Sequence, residues 1–418
     1  MDLITLLKTV KKASQSLLTT KAKKIDLALL GVADALISKK EFLKQENAKD
    51  VFNARENGKS DAFIDRLTLT DSVINSMAEG VRQIAGLKSP VFKTIYKYYN
   101  KEQGINIEKK AVPFGTVGII YESRPNVTAD AFALCFKTRN AVVLKGGSDS
   151  LLSNLAIVRV IKESLSLSGI NSDVVALIED TSRKTTEQFV KMKGYLDLLI
   201  PRGSAGLIKF AMENATVPII ETGAGNCHVY VDKTADLELA AQIIFNAKTQ
   251  RYSVCNACES IVIHKDVLKT ALPLIYQELS KKNVQIRADL KAFNVLENSP
   301  NVIKATKQDF YEEYGGPIIS VKTVSSLNQA IKHINQHSTL HSESIITNSK
   351  RNAKKFQQSI DSSTVYVNTS TRMTDGFVFG LGAEIGISTQ KLHARGPMGL
   401  DALLTFKYYV NSNGAIRR

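Results

Sequence analysis

A disulfide framework is the first thing this sequence lacks. Four cysteines in 418 residues are far too few for the dense cross-linking of small secreted scaffolds. Long apolar runs are missing as well: no stretch approaches the ~18 continuous apolar residues of a membrane span. No apolar segment stands behind a basic start, because Met1-Asp2-Leu3-Ile4 leads directly into an amphipathic pattern with Leu3, Leu6, Leu7 and Val10 on one face. The expected setting is a reducing cytoplasm, with no membrane partner. Helix-turn-helix, zinc-finger and aromatic-platform signatures are absent too. The lysines at positions 8, 11, 12, 21, 23, 24, 39 and 40 do not alternate with stacking aromatics. The net charge of +15, from 55 basic and 40 acidic residues, therefore suits anionic small substrates, and nucleic acid is not an expected partner. Finally, there is no G-x-G-x-x-G after any strand pattern, which excludes the ordinary dinucleotide fingerprint.

What remains is a globular composition, 44% apolar and 23% charged, in a chain long enough for two domains of roughly 150 to 200 residues. Residues 1 to about 90 read as helices: the first already described, a second over 25–37 and a third over 71–87, with Gly58 and Gly80 as punctuation. In the third, Val73, Ile74, Met77, Val81 and Ile84 share one face. Gly104 can turn a short extended pair, and 403–410 is strand-like by its aromatic and branched content. From residue 112 the texture alternates. Strands are predicted at 116–121, 141–145, 174–178, 196–200 and 217–220, and helices at 126–139, 150–166 and 205–213, the pattern of an α/β doubly wound parallel sheet.

Such sheets bind ligands beyond the carboxyl ends of their strands. Two strand ends, Lys145-Gly146-Gly147-Ser148 and Pro201-Arg202-Gly203-Ser204, combine glycine, a hydroxyl and a cation beside a helix start. That combination suits phosphate, with an ordinary turn as the competing reading. In Glu122-Ser123-Arg124-Pro125-Asn126, Pro125 fixes a turn and Asn126 is a natural helix N-cap. The segment Arg251-Tyr252-Ser253-Val254-Cys255-Asn256-Ala257-Cys258-Glu259-Ser260 runs straight into the apolar strand Ile261-Val262-Ile263. It presents a thiol at the mouth of a sheet, which makes Cys255 the candidate nucleophile. Plain packing competes with this reading, as does a redox or zinc pair formed with Cys258. Zinc wants about four ligands, and the only other short Cys/His pair is Cys227-His228, so no metal site is expected.

The run from Phe245 to Ala257 resembles the catalytic-cysteine segment of the aldehyde dehydrogenase superfamily. Asn368-Thr369-Ser370-Thr371-Arg372, Phe379 through Thr389, and His393-Ala394-Arg395-Gly396-Pro397 resemble the gamma-glutamyl phosphate reductases within it. The resemblance implies an aldehyde dehydrogenase-like fold, with a cofactor domain at 1–96 and 112–227. It further implies a catalytic domain at 228–401 and oligomerisation strands at 97–111 and 402–418, hence a homo-oligomer. By the same resemblance Cys255 is the nucleophile and the Asn126 amide an oxyanion donor. Lys145 then lies beside the adenosine ribose, which points to NADPH, with Gly203 and Ser204 nearby and Glu313, in Asp309 through Pro317, on the nicotinamide ribose. Arg124, His393 and Arg395 become candidates for the substrate's anions. Glu221, in Glu221-Thr222-Gly223-Ala224-Gly225-Asn226, matches the base of hydrolytic members in position only, because an acyl-phosphate reductase needs no deacylating water. The implied substrate is L-glutamyl 5-phosphate, with glutamate 5-kinase as a possible contact. The alternatives are a hydrolytic NAD(P)-dependent aldehyde dehydrogenase and a basic, non-enzymatic binding protein on the same fold.

Overall fold

Hydrophobic residues that recur on one helix face, or fill both faces of a strand, decide where this chain folds. The computed structural model describes residues 2–122 and 124–417. Two compact units result. The first runs through Glu221 and recruits Gly380–Gly386 and the stretch from Met398 onward, while the second holds Thr222–Phe379 and Ile387–Pro397. Among the described residues no helix is long and apolar enough to cross a membrane.

The first unit opens with helices α1 (Leu3–Thr19), α2 (Ala22–Ser38), α3 (Lys40–Glu56), α4 (Asp61–Leu67) and α5 (Asp71–Gly86). Strands β1 (Thr94–Asn100) and β2 (Ile105–Pro113) follow. An alternating series then comprises β3 (Thr116–Tyr121), α6 (Asn126–Lys137), β4 (Ala141–Lys145), α7 (Leu151–Leu167), β5 (Val175–Leu177), α8 (Arg183–Phe189), β6 (Leu198–Arg202) and α9 (Ala205–Asn214). The sheet order is β5-β4-β3-β6, all parallel. β3 and β4 are buried along their whole length, as strands covered by helices on both faces must be.

Three sequence expectations need correction here. Residues 217–220 form no strand, only a bridge from Leu199 to Ile219, because Pro218 has no N–H to extend the ladder. Gly80 lies inside α5 and does not punctuate it. The helices α3, α4 and α8 were not foreseen. α3 buries polar groups: the Asn47 amide donates to the Leu67 carbonyl (2.8 Å) and accepts the Leu69 N–H (2.8 Å). Asp50 accepts the Ser153 N–H (2.8 Å) and hydroxyl (2.6 Å). A helix docked through side-chain amide and carboxylate carries no apolar stripe for periodicity to detect.

The second unit comprises β7 (Cys227–Val231), α10 (Leu237–Thr249), β8 (Cys258–His264), α11 (Leu268–Ser280), β9 (Gln285–Ala288) and α12 (Leu290–Leu296). It continues with β10 (Val302–Lys304), β11 (Ile318–Val324), α13 (Leu327–His337), β12 (Ser342–Ile346), α14 (Lys350–Ser359) and β13 (Thr364–Val367), and the short pair β14 (Ile387–Ser388) and β15 (Gly396–Pro397). Its parallel sheet has the order β10-β9-β11-β8-β7-β12-β13. Strand alternation builds two cores: Val229, Val231, Ile261 and Ile263 face Ile244 and Leu272, while Tyr230, Val262 and Ile345 face Ile334 and Phe356. The last strand, β16 (Leu404–Asn411), returns to the first unit and pairs antiparallel with β2, giving the order β1-β2-β16. Gly104, at φ +62°, closes the β1–β2 turn.

A buried ion pair, Lys248 Nζ to Glu259 Oε2 at 2.5 Å with both side chains fully enclosed, ties the end of α10 to β8. Burial holds the Glu259 carboxyl up at about 7 despite the lysine. Breaking such a pair strands one charge in the interior. Lys248→Met should therefore lose about 3 to 5 kcal/mol of unfolding free energy in urea, with much of it recovered in Lys248→Met/Glu259→Leu.

Candidate active site

Parallel strands place their starts along one edge of a sheet, and in the second unit that edge collects the chemistry. Gly225 stands just before β7, Cys255 just before β8, Glu313 before β11 and His341 before β12. The nucleophile thus lies ahead of its strand, in a loop between α10 and β8, and is half-buried. Cys258 is wholly buried within β8, its Sγ donating to the Ser260 carbonyl at 3.4 Å.

The loop is held from behind. The Cys227 thiol donates to the Cys255 carbonyl at 3.2 Å and lies 3.7 Å from His341 Nδ1. Burial raises the Cys227 pKa well above the usual thiol range, which keeps it a neutral donor. Gly225 packs against the same carbonyl so closely that an added Cβ would coincide with the Cys255 oxygen and crowd its carbonyl carbon and Cα. Glu313 accepts the Gly225 N–H. Glycine, cysteine loop and acid are thereby fixed to one another within this unit.

In the first unit, the candidate residues cluster after strands. Asn126 is the first residue of α6, not its N-cap; that position belongs to Pro125, whose side chain makes no capping hydrogen bond. The Asn126 amide instead faces Asp130 Oδ2 at 3.5 Å, one turn on. Burial pushes the Asp130 carboxyl up to about 6, with Asn126 and Arg202 opposing. Arg124 is half-buried in the turn entering α6. Lys145 ends β4, nearly enclosed, and loss of solvent lowers its pKa against the attraction of Asp180.

The Gly203-Ser204 turn holds an anion already. The Ser204 N–H donates to Glu122 Oε2 at 2.7 Å and its hydroxyl to Oε1 at 3.1 Å. A Cβ at Gly203 would meet that carboxylate at 2.6 Å. The start of α9 is thus a cradle shaped for a negatively charged group, as a nicotinamide dinucleotide's phosphates require. Glu221 closes the main run of this unit and is half-buried. The remaining candidates lie elsewhere: Arg395 is exposed and donates to the Asp361 carbonyl and carboxylate, both at 3.1 Å. His393 is also exposed, its carbonyl accepting from Gln390 at 2.7 Å.

Asp130, Glu122 and Gly225 carry no signal that isolates them in sequence; each acquires its role through a neighbour folded against it.

A sequence model of the Aldehyde dehydrogenase family matches residues 2–292 and 295–391. A gamma-glutamyl phosphate reductase of Lachnospira eligens is 54% identical over 408 residues, covering 98% of this chain and 97% of that protein. The chain belongs to the gamma-glutamyl phosphate reductase branch of the aldehyde dehydrogenase family. A reductase of the same name from Caldicellulosiruptor bescii is 48% identical over 417 residues, 100% of this chain and 99% of that one. The crystal structure of gamma-glutamyl phosphate reductase from Thermotoga maritima is 43% identical with a TM-score of 0.97, covering all of both chains. The fold extends to an acetylating aldehyde dehydrogenase from Geobacillus thermoglucosidasius, at 16% identity and a TM-score of 0.70 over 99% and 97% of the two chains. Aldehyde dehydrogenase family members are oxidoreductases that work with nicotinamide cofactors, and the α9 cradle fits such a group.

Two consequences can be measured. Gly225→Ala should abolish turnover by displacing the Cys255 carbonyl, while far-ultraviolet circular dichroism still reports the α/β fold. Asp130 resists ionisation in the fold, so it weakens stability as pH rises from about 4 through about 6. The melting temperature of Asp130→Asn relative to the parent should accordingly rise between pH 4.5 and 7; a constant difference would contradict the burial assigned to Asp130.

Proposed function

We propose that this chain reduces L-glutamyl 5-phosphate to L-glutamate 5-semialdehyde with release of phosphate, the second step of proline biosynthesis from glutamate, and that NADPH is its reductant. The observation that carries this reading is the half-buried Cys255, backed by Gly225 and Cys227, in a chain 54% identical to a gamma-glutamyl phosphate reductase.

In this reading the Cys255 thiolate attacks the acyl carbon, the C–O bond to phosphate breaks, and the sulfur holds the acyl group as a thioester. Asn126 donates its amide to the oxyanion, an interaction of about 2.7 to 4 kcal/mol in enzymes where such a donor has been removed. When bound, the reduced nicotinamide supplies the hydride that turns the thioester into the aldehyde and frees the thiolate. Gly203 and Ser204 are assigned to the cofactor's phosphates, which requires Glu122 to release Ser204; Lys145 is assigned to its adenosine end and Glu313 to its nicotinamide ribose. Arg124, His393 and Arg395 are assigned to the substrate's anions, which for Arg395 requires release from Asp361. Glu221 has no step to perform, since phosphate leaves before water is needed.

The enzyme is assigned to the cytoplasm, where glutamate 5-kinase would hand over the labile acyl phosphate. The exposed Tyr96, Tyr98, Phe406 and Tyr408 of the β1-β2-β16 sheet support a further assignment, that this sheet docks another copy of the chain.

Run in reverse with glutamate 5-semialdehyde, NADP⁺ and inorganic phosphate, the protein should reduce the cofactor only when phosphate is present, and Cys255→Ala should not. Equal reduction without phosphate would mean that water resolves the thioester, which is the hydrolytic aldehyde dehydrogenase reading. Faster reduction of NAD⁺ would overturn the assignment of NADPH.

A further inference from the structure

The loop that carries Cys255 begins at Gln250, the C-cap of α10, and ends as β8 begins at Cys258. Both of its ends are gripped by one short segment of the same unit, the 3₁₀ turn Thr371–Met373 and the residue after it. Arg372 Nε donates to Gln250 Oε1 at 2.8 Å, and its Nη1 donates to Asn256 Oδ1. Asn256, the residue after the sulfur, is buried. Its carbonyl accepts the Thr371 hydroxyl at 2.7 Å, and its amide donates to the Thr374 carbonyl at 2.8 Å. The guanidinium therefore bridges the two sides of the loop through distinct nitrogens, a geometry that suits arginine's rigid fork and not an ammonium.

We propose that Arg372 is a positioning residue of the reaction: its planar fork clamps the loop on both sides of the nucleophile and sets a fixed positive charge beside the Cys255 sulfur. The proposal rests on Cys255 being the nucleophile. Arg372 is half-buried, and the loss of solvent that lowers its pKa is opposed by attraction to the sulfur of Cys255. Coupling of this kind is reciprocal, so the guanidinium favours the thiolate by as much as the thiolate favours the guanidinium. Among the other groups acting on Arg372, Arg251 opposes it, and Asp375 and Cys227 favour it. Cys227 stays protonated through burial. Of the cations, Arg251 is exposed, whereas Arg372 is bonded into the loop.

The test is the pH dependence of Cys255 carbamidomethylation by iodoacetamide in the full chain, read by peptide mass spectrometry, beside steady-state turnover. Arg372→Met should move the midpoint of the alkylation profile up by about one pH unit or more. Its kcat should fall at least tenfold, with a smaller change in KM. Arg372→Lys keeps the charge and loses the fork: its midpoint should stay within about half a unit of the parent while kcat still falls at least tenfold. An unmoved midpoint in folded Arg372→Met overturns the proposal, and so does a parental kcat in Arg372→Lys, which decides the matter should the methionine variant not fold. Alkylation reads the sulfur whatever reaction it serves. Turnover retained by Cys255→Ala would thus remove the nucleophile assignment without being confused with a failure of the Arg372 coupling.

Discussion

One contact without spare room governs the second unit: the Gly225 α-carbon lies against the Cys255 carbonyl, where no Cβ fits. A backbone so close can neither drift nor rotate, and Cys227 donates to that same oxygen from the adjacent strand. The nucleophile's loop is irregular in conformation yet inherits the rigidity of the sheet beneath it. The Glu313 carboxylate on the Gly225 N–H and the Thr371–Thr374 segment on Asn256 extend this restraint to segments far apart in the chain. Reactivity at a thiol needs exposure, and precision needs immobility. Here Cys255 is only half-buried, while the carbonyl of the same residue is held fast.

The interior is polar where segments must be matched as well as packed. Lys248 and Glu259 flank the nucleophile's loop from fully enclosed positions, and Asn47 and Asp50 dock α3 against α4, its following loop and α7. Buried groups of this kind contribute little net stability compared with apolar replacements, but a mismatched docking leaves them unsatisfied. The first unit uses the same logic at α9, where Glu122 satisfies the Ser204 N–H and hydroxyl.

Much of the fold was legible in the sequence for identifiable reasons. β3 and β4 fall on residues 116–121 and 141–145 as expected, because apolar runs buried on both faces end sharply at turn residues. α5 was visible because Ile74, Met77, Val81 and Ile84 all reach the core. α3 was not, since its buried face includes Asn47 and Asp50, and Pro218 defeated an otherwise strand-like run. Of the candidate site, the Cys255 loop stood out because a thiol preceded an apolar strand. The long-range partners did not: Arg372 reaches Gln250 and Asn256 across more than a hundred residues, and Arg395 meets Asp361. No local pattern encodes contacts of that kind. Asn126 shows the opposite hazard, a residue type that fits an N-cap yet stands one position inside the helix.

The pairing of β16 with β2, from Leu404 opposite Pro113 to Asn411 opposite Asn106, makes completion of this sheet wait until β16 has been synthesised. A ribosome releases β2 long before β16 exists. Throughout elongation of the second unit, β2 waits with one edge unpaired, and open edges recruit foreign strands. Pairing across so great a separation in sequence is also slow to form. Lys109 and Lys110 along that edge give it charge during the wait, and once β16 arrives their ammonium groups lie over the Phe406 and Tyr409 rings. The same two lysines thus lie on the edge that waits and then contact the strand that fills it.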